Sequence, residues 1–370
     1  ATCKAASNST AEAKKRIAED DKRIKWTGSL ITKLCQASSA EFKTDKIGSA
    51  LYRPFNKSFL YYDRHFNHRY KARLFPTIEH PNLVISTTSP GNRLGFSLFF
   101  SDCIPDLHMA DGSGATQCFP LYLYEKAEAK DGELDLASGD DDGEIIDGYR
   151  RKSAITDGIL SEFRKAYGKD VSKEDIFYYV YGILHSPEYR ERFAADLKKM
   201  LPRIPLTKET DDYKKFTQAG RDLAHWHLNY ETIDPHPAVH EQTDQLGLDP
   251  WELYKVRKMT FARPTAKQKA EGEKWDKTRI IYNSKVTLNG IPLEAYDYVV
   301  NGKPALEWIM ERYQVTVDKK SGIRNDPNDW CREHDDPRYI IDLLKRVARV
   351  SLETNKIVAS LPALNERSGG

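Results

Sequence analysis

The sequence lacks long apolar runs and paired cysteines. No run approaches the ~20 apolar residues that a membrane-spanning helix requires, and no signal-type apolar stretch opens the chain. The five cysteines lie far apart, without any Cys-x-x-Cys. These absences argue against a membrane protein, a disulfide scaffold and a zinc scaffold, and they favour a reduced cytoplasmic protein.

Several catalytic motifs are also missing. The sequence contains no G-x-x-x-x-G-K-[ST] phosphate loop, no G-x-S-x-G elbow and no H-E-x-x-H helix. It contains no Pro-Pro, which the catalytic loop of an adenine methyltransferase would show. Four histidines would have to converge to bind a metal, and we expect packing or surface roles for them: His225, His227, His236 and His240. We therefore predict no catalytic residue, no metal site and no cofactor in this segment.

Length and composition indicate a folded chain of more than one unit. The 370 residues are 39% hydrophobic and 30% charged, which is enough apolar material for a core. Lys and Arg number 57 against 55 Asp and Glu, a formal net charge of +2. Any electrostatic function must therefore come from local segregation of charge.

Hydrophobic periodicity predicts an α+β fold. We predict a linker helix within residues 1–44 and an aromatic-rich β unit at 45–147, whose strands end near residue 125 and which closes with an acidic loop at 126–147. A helical unit at 148–232 and a mixed α/β unit at 233–370 follow. The acidic loop holds almost no large apolar side chain, so we expect it to be solvated.

Local signals place individual elements. Ser172 and Asp175 predict a capping box, and Ser186-Pro187 predicts the start of a helix that runs to residue 201. Asn301-Gly302 predicts a tight turn between strands. Trp308 lies among apolar residues of a predicted helix, so we expect it in the core.

Two stretches are rich in basic residues. Residues 51–76 hold six Lys or Arg, two His, one acid and eight aromatics, and residues 255–285 hold ten Lys or Arg against three acids. Arg and Lys contact phosphates and guanine edges, so both stretches suit nucleic acid. The alternative is that these residues are simply the solvent face of a β-rich core and a surface loop. The predicted DNA contacts are Arg53, Lys57, Arg64, His65, Asn67, His68, Arg69, Lys71, Arg73, Lys258, Lys277, Arg279 and Asn283.

The run YRPFNKSFLYYDRHFNHR (52–69) resembles the segment that opens the target-recognition region of single-chain restriction–modification methyltransferases. Four later runs extend the likeness: EDIFYYVYGILHSPEYRERF (174–193), GRDLAHWHLNYE (220–231), NGIPLEAYDYVVNGKPALEWIMERYQV (289–315) and NDPNDW with DPRYIIDLLKRVARVSLET (within 325–354). Together they resemble the C-terminal specificity domain of type ISP restriction–modification enzymes. The resemblance covers about residues 45 to 362.

The resemblance implies a non-catalytic target-recognition domain. Its partners would be double-stranded DNA and the methyltransferase domain of the same polypeptide, with no membrane involved. The parent enzyme would carry a nuclease, a helicase-like ATPase motor and an N6-adenine methyltransferase, which use S-adenosylmethionine, ATP and Mg. Two alternatives remain: a scaffold that docks other domains, and a metal-dependent nuclease fragment.

A polar span between two aromatic runs is the strongest candidate for base recognition. It holds Arg64, His65, Asn67, His68 and Arg69. Such a tip offers the hydrogen-bonding groups that distinguish G·C from A·T in the major groove, with Arg pairing with guanine and Asn67 or Asn283 with adenine. The alternative is that Asp63 pairs with a neighbouring Arg and the histidines satisfy backbone carbonyls.

Overall fold

The structure is a computed structural model that describes residues 28–36, 40–67, 70–109, 114–127, 143–245, 247–319 and 322–367. Helices and short strands alternate within these ranges, and the strands form several small sheets. The predicted α+β class is confirmed. No helix in the described ranges is long and apolar enough to cross a bilayer.

Most helical residues lie after the aromatic-rich strands. The helices are Gly28–Cys35, Asp157–Tyr167, Lys173–His185, Pro187–Arg192, Ala194–Leu197, Thr210–Leu228, Pro250–Leu253, Ala266–Ala270, Ala305–Arg312, Asn328–Glu333 and Tyr339–Ala359, with 3-10 turns at Thr44–Lys46 and Leu293–Tyr296. The helix Lys173–His185 packs along Thr210–Leu228, and the long helix Tyr339–Ala359 also contacts Thr210–Leu228.

In the part of the chain that the structure describes, the strands form three sheets of three strands, one sheet of four strands and two hairpins. In the first sheet, Ile47–Arg53 lies between antiparallel Asn56–Tyr61 and parallel Ile104–Pro105. The second and third sheets are antiparallel and centre on Val84–Thr87 and Tyr149–Ser153. Their outer strands are Leu98–Ser101 and Gln117–Pro120, then Tyr122–Lys126 and Ile145–Ile146. The four-stranded sheet has the order His240–Gln242, Thr287–Asn289, Asp276–Ile281, Thr260–Ala262. The hairpins are Val299–Val300 with Lys303–Pro304 and Thr316–Val317 with Arg324–Asn325.

Local signals correctly predicted several element ends. Ser172 and Asp175 form the predicted capping box at the start of Lys173–His185. Asn301 and Gly302 have φ of 50° and 72° and join Val299–Val300 to the next strand, as a two-residue hairpin turn requires.

The helix predicted from Ser186 to residue 201 is shorter than expected. Ser186 caps it and Pro187 opens it, but the first helix ends at Arg192. Phe193 has φ −101° and ψ 15°, outside helical values, so the helix is interrupted there and a second short helix, Ala194–Leu197, follows.

Two large apolar clusters hold the fold together, and each crosses the predicted unit boundaries. One joins Leu51 and Phe99 to Trp308 and Leu343. The other joins Ile85 to the central helix pair and to Leu364. The predicted segments therefore fold on shared cores. Trp308 is buried as predicted, and its indole N–H donates to the carbonyl of Val300 at 2.8 Å.

Two predicted segments fall largely outside the described residues. Of the linker helix predicted within 1–44, the structure describes Gly28–Cys35 as helix, whereas residues 1–27 lie outside it. Of the acidic loop predicted at 126–147, residues 128–142 lie outside it. Its far end is not loop: Ile145–Ile146 pairs with Tyr149–Ser153 as a strand.

Candidate nucleic-acid interface

The polar tip after strand Asn56–Tyr61 is a compact loop held by Asp63. The Asp63 carboxylate forms an ion pair with Lys46 and accepts the backbone N–H of His65 at 2.6 Å. The Asn67 side-chain oxygen accepts the backbone N–H of Asp63 at 2.7 Å. Burial opposes the charge of Asp63, but Lys46 and the His65 N–H outweigh it and lower the pKa of this carboxyl. Asp63 thus pairs with a lysine rather than with the arginine that the alternative interpretation expected.

The tip is also tied to the preceding helix. Lys33 of Gly28–Cys35 donates to the backbone carbonyl of Arg64 at 2.8 Å and to that of His65. The Arg64 side chain is exposed, so among the described tip residues it is a cation that an external partner can reach. The predicted contacts His68 and Arg69 lie outside the described residues.

Two predicted DNA contacts of the first basic stretch, Arg53 and Lys57, form ion pairs with acidic residues of the chain itself. The Arg53 guanidinium lies 2.7 Å from the Asp106 carboxylate, and its central carbon lies 4.1 Å from the ring centroid of Tyr52. The Lys57 ammonium lies 2.6 Å from the carboxylate of Glu231, and both side chains are 19% exposed. Burial opposes the charge of Lys57, but Glu231 outweighs it and raises the pKa of Lys57. These two cations join strands to distant segments, so phosphate contact would break existing ion pairs.

Lys71 and Arg73, by contrast, are on the surface. Both are exposed, and Arg73 is held only loosely, 3.8 Å from the carboxylate of Glu125. They are available to an external anion.

In the second basic stretch, Lys277 and Asn283 also have partners within the chain. The Lys277 ammonium lies 3.1 Å from Glu307 and within 5.4 Å of two aromatic ring centroids. Asn283 uses its amide entirely within the chain. Its nitrogen donates to two backbone carbonyls at 2.8 and 3.0 Å, and its oxygen accepts two backbone N–H groups at 2.8 Å. Pairing of Asn283 with adenine would break these bonds, so the structure gives it a turn-forming role instead.

Around Asn283 lies a cleft of about 830 Å³, which we call the basic cleft. The loop 252–258 and the turn 281–285 form its walls, and residues 315, 324 and 328 complete it. Its lining residues are Glu252, Lys255, Val256, Arg257, Lys258, Ile281, Asn283, Ser284, Lys285, Val315, Arg324 and Asn328. Five of these are basic and one is acidic, so the cleft carries a local excess of positive charge, which attracts anions.

The five cations of the basic cleft differ in how they are held. Lys255 and Lys285 each lie 3.9 Å from the carboxylate of Glu252, and Lys285 also donates to the carbonyl of Glu252 at 2.6 Å. Arg324 lies 2.9 Å from the carboxylate of Asp326. Arg257 and Lys258 are exposed, and the structure assigns neither an ion pair among the residues that it describes. Sequence reasoning had selected only Lys258 among the five. Arg257 stood beside it in the same basic stretch, whereas Arg324 is separated from it by more than sixty positions.

A second cleft, of about 650 Å³, borders the first because Arg324 lines both. The exposed ring of Phe59 lies beside Trp330, with centroids 4.9 Å apart. Four acids and three bases line this second cleft: Glu311, Asp326, Asp329, Glu333, Lys57, Arg312 and Arg324. The excess of acids disfavours phosphate in this second cleft.

Within the described ranges, no group of three or more His, Cys, Asp or Glu side chains is arranged to hold a metal ion. The histidine pair of helix Thr210–Leu228 diverges. His227 is buried between Tyr181 and Thr354, while His225 bonds to Asn229 at the surface.

Comparison with known proteins adds the family. The family model of the type ISP C-terminal specificity domain matches residues 2–343. A nuclease-deletion mutant of the type ISP restriction-modification enzyme LlaGI, in complex with a DNA substrate mimic, is 34% identical with a TM-score of 0.73, over 94% of this chain and 28% of that chain. The ATP-dependent type ISP enzyme LlaBIII bound to DNA is 32% identical with a TM-score of 0.77, over 97% and 22%. The DrdV–DNA complex is 28% identical with a TM-score of 0.75, over 96% and 32%. The chain thus spans less than a third of each of these chains, and no curated protein gives a significant match.

Proposed function

The chain belongs to the family of type ISP C-terminal specificity domains, and from that premise we propose that it recognises duplex DNA by sequence. The observation that carries the proposal is the basic cleft, with five cations against one acid. Both type ISP neighbours have DNA or a DNA substrate mimic bound. Cations that line a cleft neutralise phosphates, and neighbouring side chains then contact base edges.

We propose a division of labour within a longer polypeptide. This segment would supply recognition and no catalysis. The methyltransferase domain would form the other wall of the DNA-binding cleft and would use S-adenosylmethionine. The ATPase motor and the nuclease would use ATP and Mg, and the whole enzyme would act in the cytoplasm. A restriction–modification enzyme must reach cellular and invading DNA, which supports that location.

The salt dependence of DNA binding tests the proposal. We expect the chain to bind a labelled random-sequence duplex with an affinity that falls steeply with NaCl concentration, because each phosphate contact releases counterions. Arg257→Glu combined with Lys258→Glu should weaken binding and reduce the slope of log affinity against log salt by about two. Fluorescence anisotropy over a series of salt concentrations gives this slope.

The matched control reverses two exposed lysines of the helical segment. Lys199→Glu with Lys214→Glu makes the same change in net charge outside the basic cleft. We expect its salt slope to equal that of the parent chain. Equal slopes for the cleft variant and the parent would show that phosphates bind elsewhere, and an absence of salt-sensitive binding would refute DNA recognition by this chain.

A further inference from the structure

Strand Asp276–Ile281 is irregular where it pairs with Thr260–Ala262. Phe261 lies opposite Ile280, but Ala262 lies opposite Asp276, so residues 277–279 bulge out of the ladder. A bulge bends the strand and redirects its side chains. This one is fixed on the sheet, because the carbonyl of residue 278 accepts the N–H of Ile291 at 3.0 Å.

The bulge ends at Arg279, whose side chain is exposed. Arg279 and Ile281 are exposed, whereas Ile280 between them is buried. Alternate residues of a strand share one face, so Arg279 and Ile281 lie on the same outer face. Ile281 lines the basic cleft. Arg279 does not itself line the basic cleft, but it lies two residues along the strand from Ile281, which does.

Arg279 forms an ion pair with a buried carboxylate. The Nε of Arg279 lies 3.2 Å from the Oδ2 of Asp276, whose side chain is only 4% exposed. The other oxygen of Asp276 accepts the backbone N–H and hydroxyl of Thr278, at 3.1 and 2.6 Å, and the amide of Gln268 at 3.2 Å. Burial opposes the charge of Asp276, but these hydrogen bonds and Arg279 outweigh it and lower the pKa of the carboxyl.

Nε is the Arg279 nitrogen nearest to the carboxylate, and the side chain is 45% exposed. Arg324 is held differently, because its terminal Nη2 is the atom 2.9 Å from Asp326. Arg257 and Lys258 have no such support within the described part of the chain. An ion pair with a buried carboxylate restrains the guanidinium, whose planar fork of N–H donors matches the O6 and N7 acceptors of guanine.

We propose that Arg279 recognises a guanine of the DNA target in the major groove and that Asp276 is the residue that positions it. The assignment rests on the proposed function, since it requires that the basic cleft bind DNA. It separates the roles of the cations: Arg257 and Lys258 contact phosphates without regard to sequence, and Arg279 contributes discrimination at one base pair. A support on a rigid strand lowers the entropy lost when the arginine engages the base.

Selection from a random duplex pool tests the assignment. The parent chain, Arg279→Ala, Arg279→Lys and Asp276→Asn are each used to select duplexes, and the enriched sequences are compared. We expect the parent to enrich a motif with guanine at one position by roughly 5- to 140-fold over other bases, the range of one bidentate contact. Arg279→Ala should lose the preference at that position alone, and Arg279→Lys should keep a small part of it.

The positioning role of Asp276 is tested by a separate variant. Asp276→Asn should weaken the preference at the same base position while leaving the other positions unchanged, an effect that a merely structural residue would not produce. Arg192→Ala is the matched control, since Arg192 is an ion-paired arginine of 43% exposure in the helical segment, and it should leave the motif intact. Thermal melts identify a variant that has unfolded. If Asp276→Asn unfolds the chain, the surface substitution Arg279→Lys still tests the guanine contact.

The outcomes separate the two proposals. If Arg279 variants enrich the parent motif unchanged while the cleft double reversal abolishes binding, the DNA-binding function stands and the guanine contact lies elsewhere. If the parent binds the pool without enriching any motif, the assignment to Arg279 is wrong for this chain. If the parent does not bind, both proposals fail.

Discussion

Asn283 shows why single residues of the site were hard to predict. Its place in a basic stretch suited base pairing, yet its amide is occupied by backbone groups of residues 253 and 255 and of its own turn. The carbonyls of residues 253 and 255 lie about thirty positions away, and nothing in the sequence pairs them with Asn283. Trp308, in contrast, was correctly placed in the core, because its apolar neighbours on the same helix are local in sequence.

His227 is a buried histidine with a consequence for acid stability. The Tyr181 hydroxyl lies 2.6 Å from its Nδ1, and the Thr354 hydroxyl lies 3.0 Å from its Nε2. Burial lowers the pKa of His227 from 6.5 to about 3. The unfolded chain therefore binds a proton between pH 6.5 and 3 that the folded chain excludes, and stability falls as the pH drops through this window.

We expect His227→Gln to reduce this acid sensitivity. The free energy of unfolding should fall by up to about 1.4 kcal/mol less per pH unit than in the parent, the linkage of one proton. Urea unfolding at a series of pH values measures this slope. The exposed His108→Gln is the control and should keep the parent's slope. An unchanged slope for His227→Gln would mean that the buried imidazole does not govern acid unfolding.

At the scale of elements, helix caps and tight turns could be predicted from the sequence, but the pairing of distant strands could not. The box of Ser172 and Asp175 and the turn at Asn301-Gly302 need only neighbouring residues, so their sequence signals were sufficient. The parallel pairing of Ala50 with Ile104 joins positions more than fifty residues apart. Such a pairing depends on the tertiary packing of the two clusters, which periodicity does not report.

The packing of helices Lys173–His185 and Thr210–Leu228 depends on two glycines. A Cβ at Gly182 would lie 2.1 Å from the carbonyl oxygen of Phe216, and one at Gly220 would lie 1.9 Å from that of Tyr178. These distances are far below contact, and the clashing atoms are backbone. The two helices must therefore separate to accept a methyl group at either position.

We predict that Gly182→Ala lowers the free energy of unfolding by roughly 1–3 kcal/mol, the typical cost of overpacking a core. Gly158→Ala, also in a helix, is the matched control, because a Cβ there meets only the Thr156 hydroxyl at 3.9 Å. That change should be neutral or stabilise the protein by about 0.4–1 kcal/mol. Chemical denaturation of both variants decides the matter, and similar losses would contradict the close helix contact.

At the scale of the whole molecule, some basic side chains form ion pairs within the chain and others line an exposed cleft, and composition does not distinguish the two groups. The stretch at 51–76 is basic in sequence, but Arg53 and Lys57 bind Asp106 and Glu231 from distant segments. The basic cleft is instead assembled from residues 255–285 and Arg324. Because the partners come from other parts of the chain, the sequence predicted that there was a basic surface but placed only part of it.

Lys57 and Lys71 allow the two uses of charge to be tested in one comparison. Glu231 accepts both the Lys57 ammonium and, at 2.5 Å, the hydroxyl of Tyr339, so it joins strand Asn56–Tyr61 to helix Tyr339–Ala359. Lys57→Glu would place two carboxylates in this half-buried site. We expect a loss of about 1–3 kcal/mol of stability, between the values for exposed and buried pairs.

Lys71→Glu carries the same charge change at an exposed position, so its stability should stay within about 0.5 kcal/mol of the parent. If Lys71 contacts a phosphate, its reversal should instead weaken binding to all duplexes alike and lower the salt slope by about one. Thermal melting and anisotropy on the same preparations separate the two effects. A Lys57→Glu variant that melts like the parent but loses DNA affinity would place Lys57 at the DNA surface and overturn its role as an internal link.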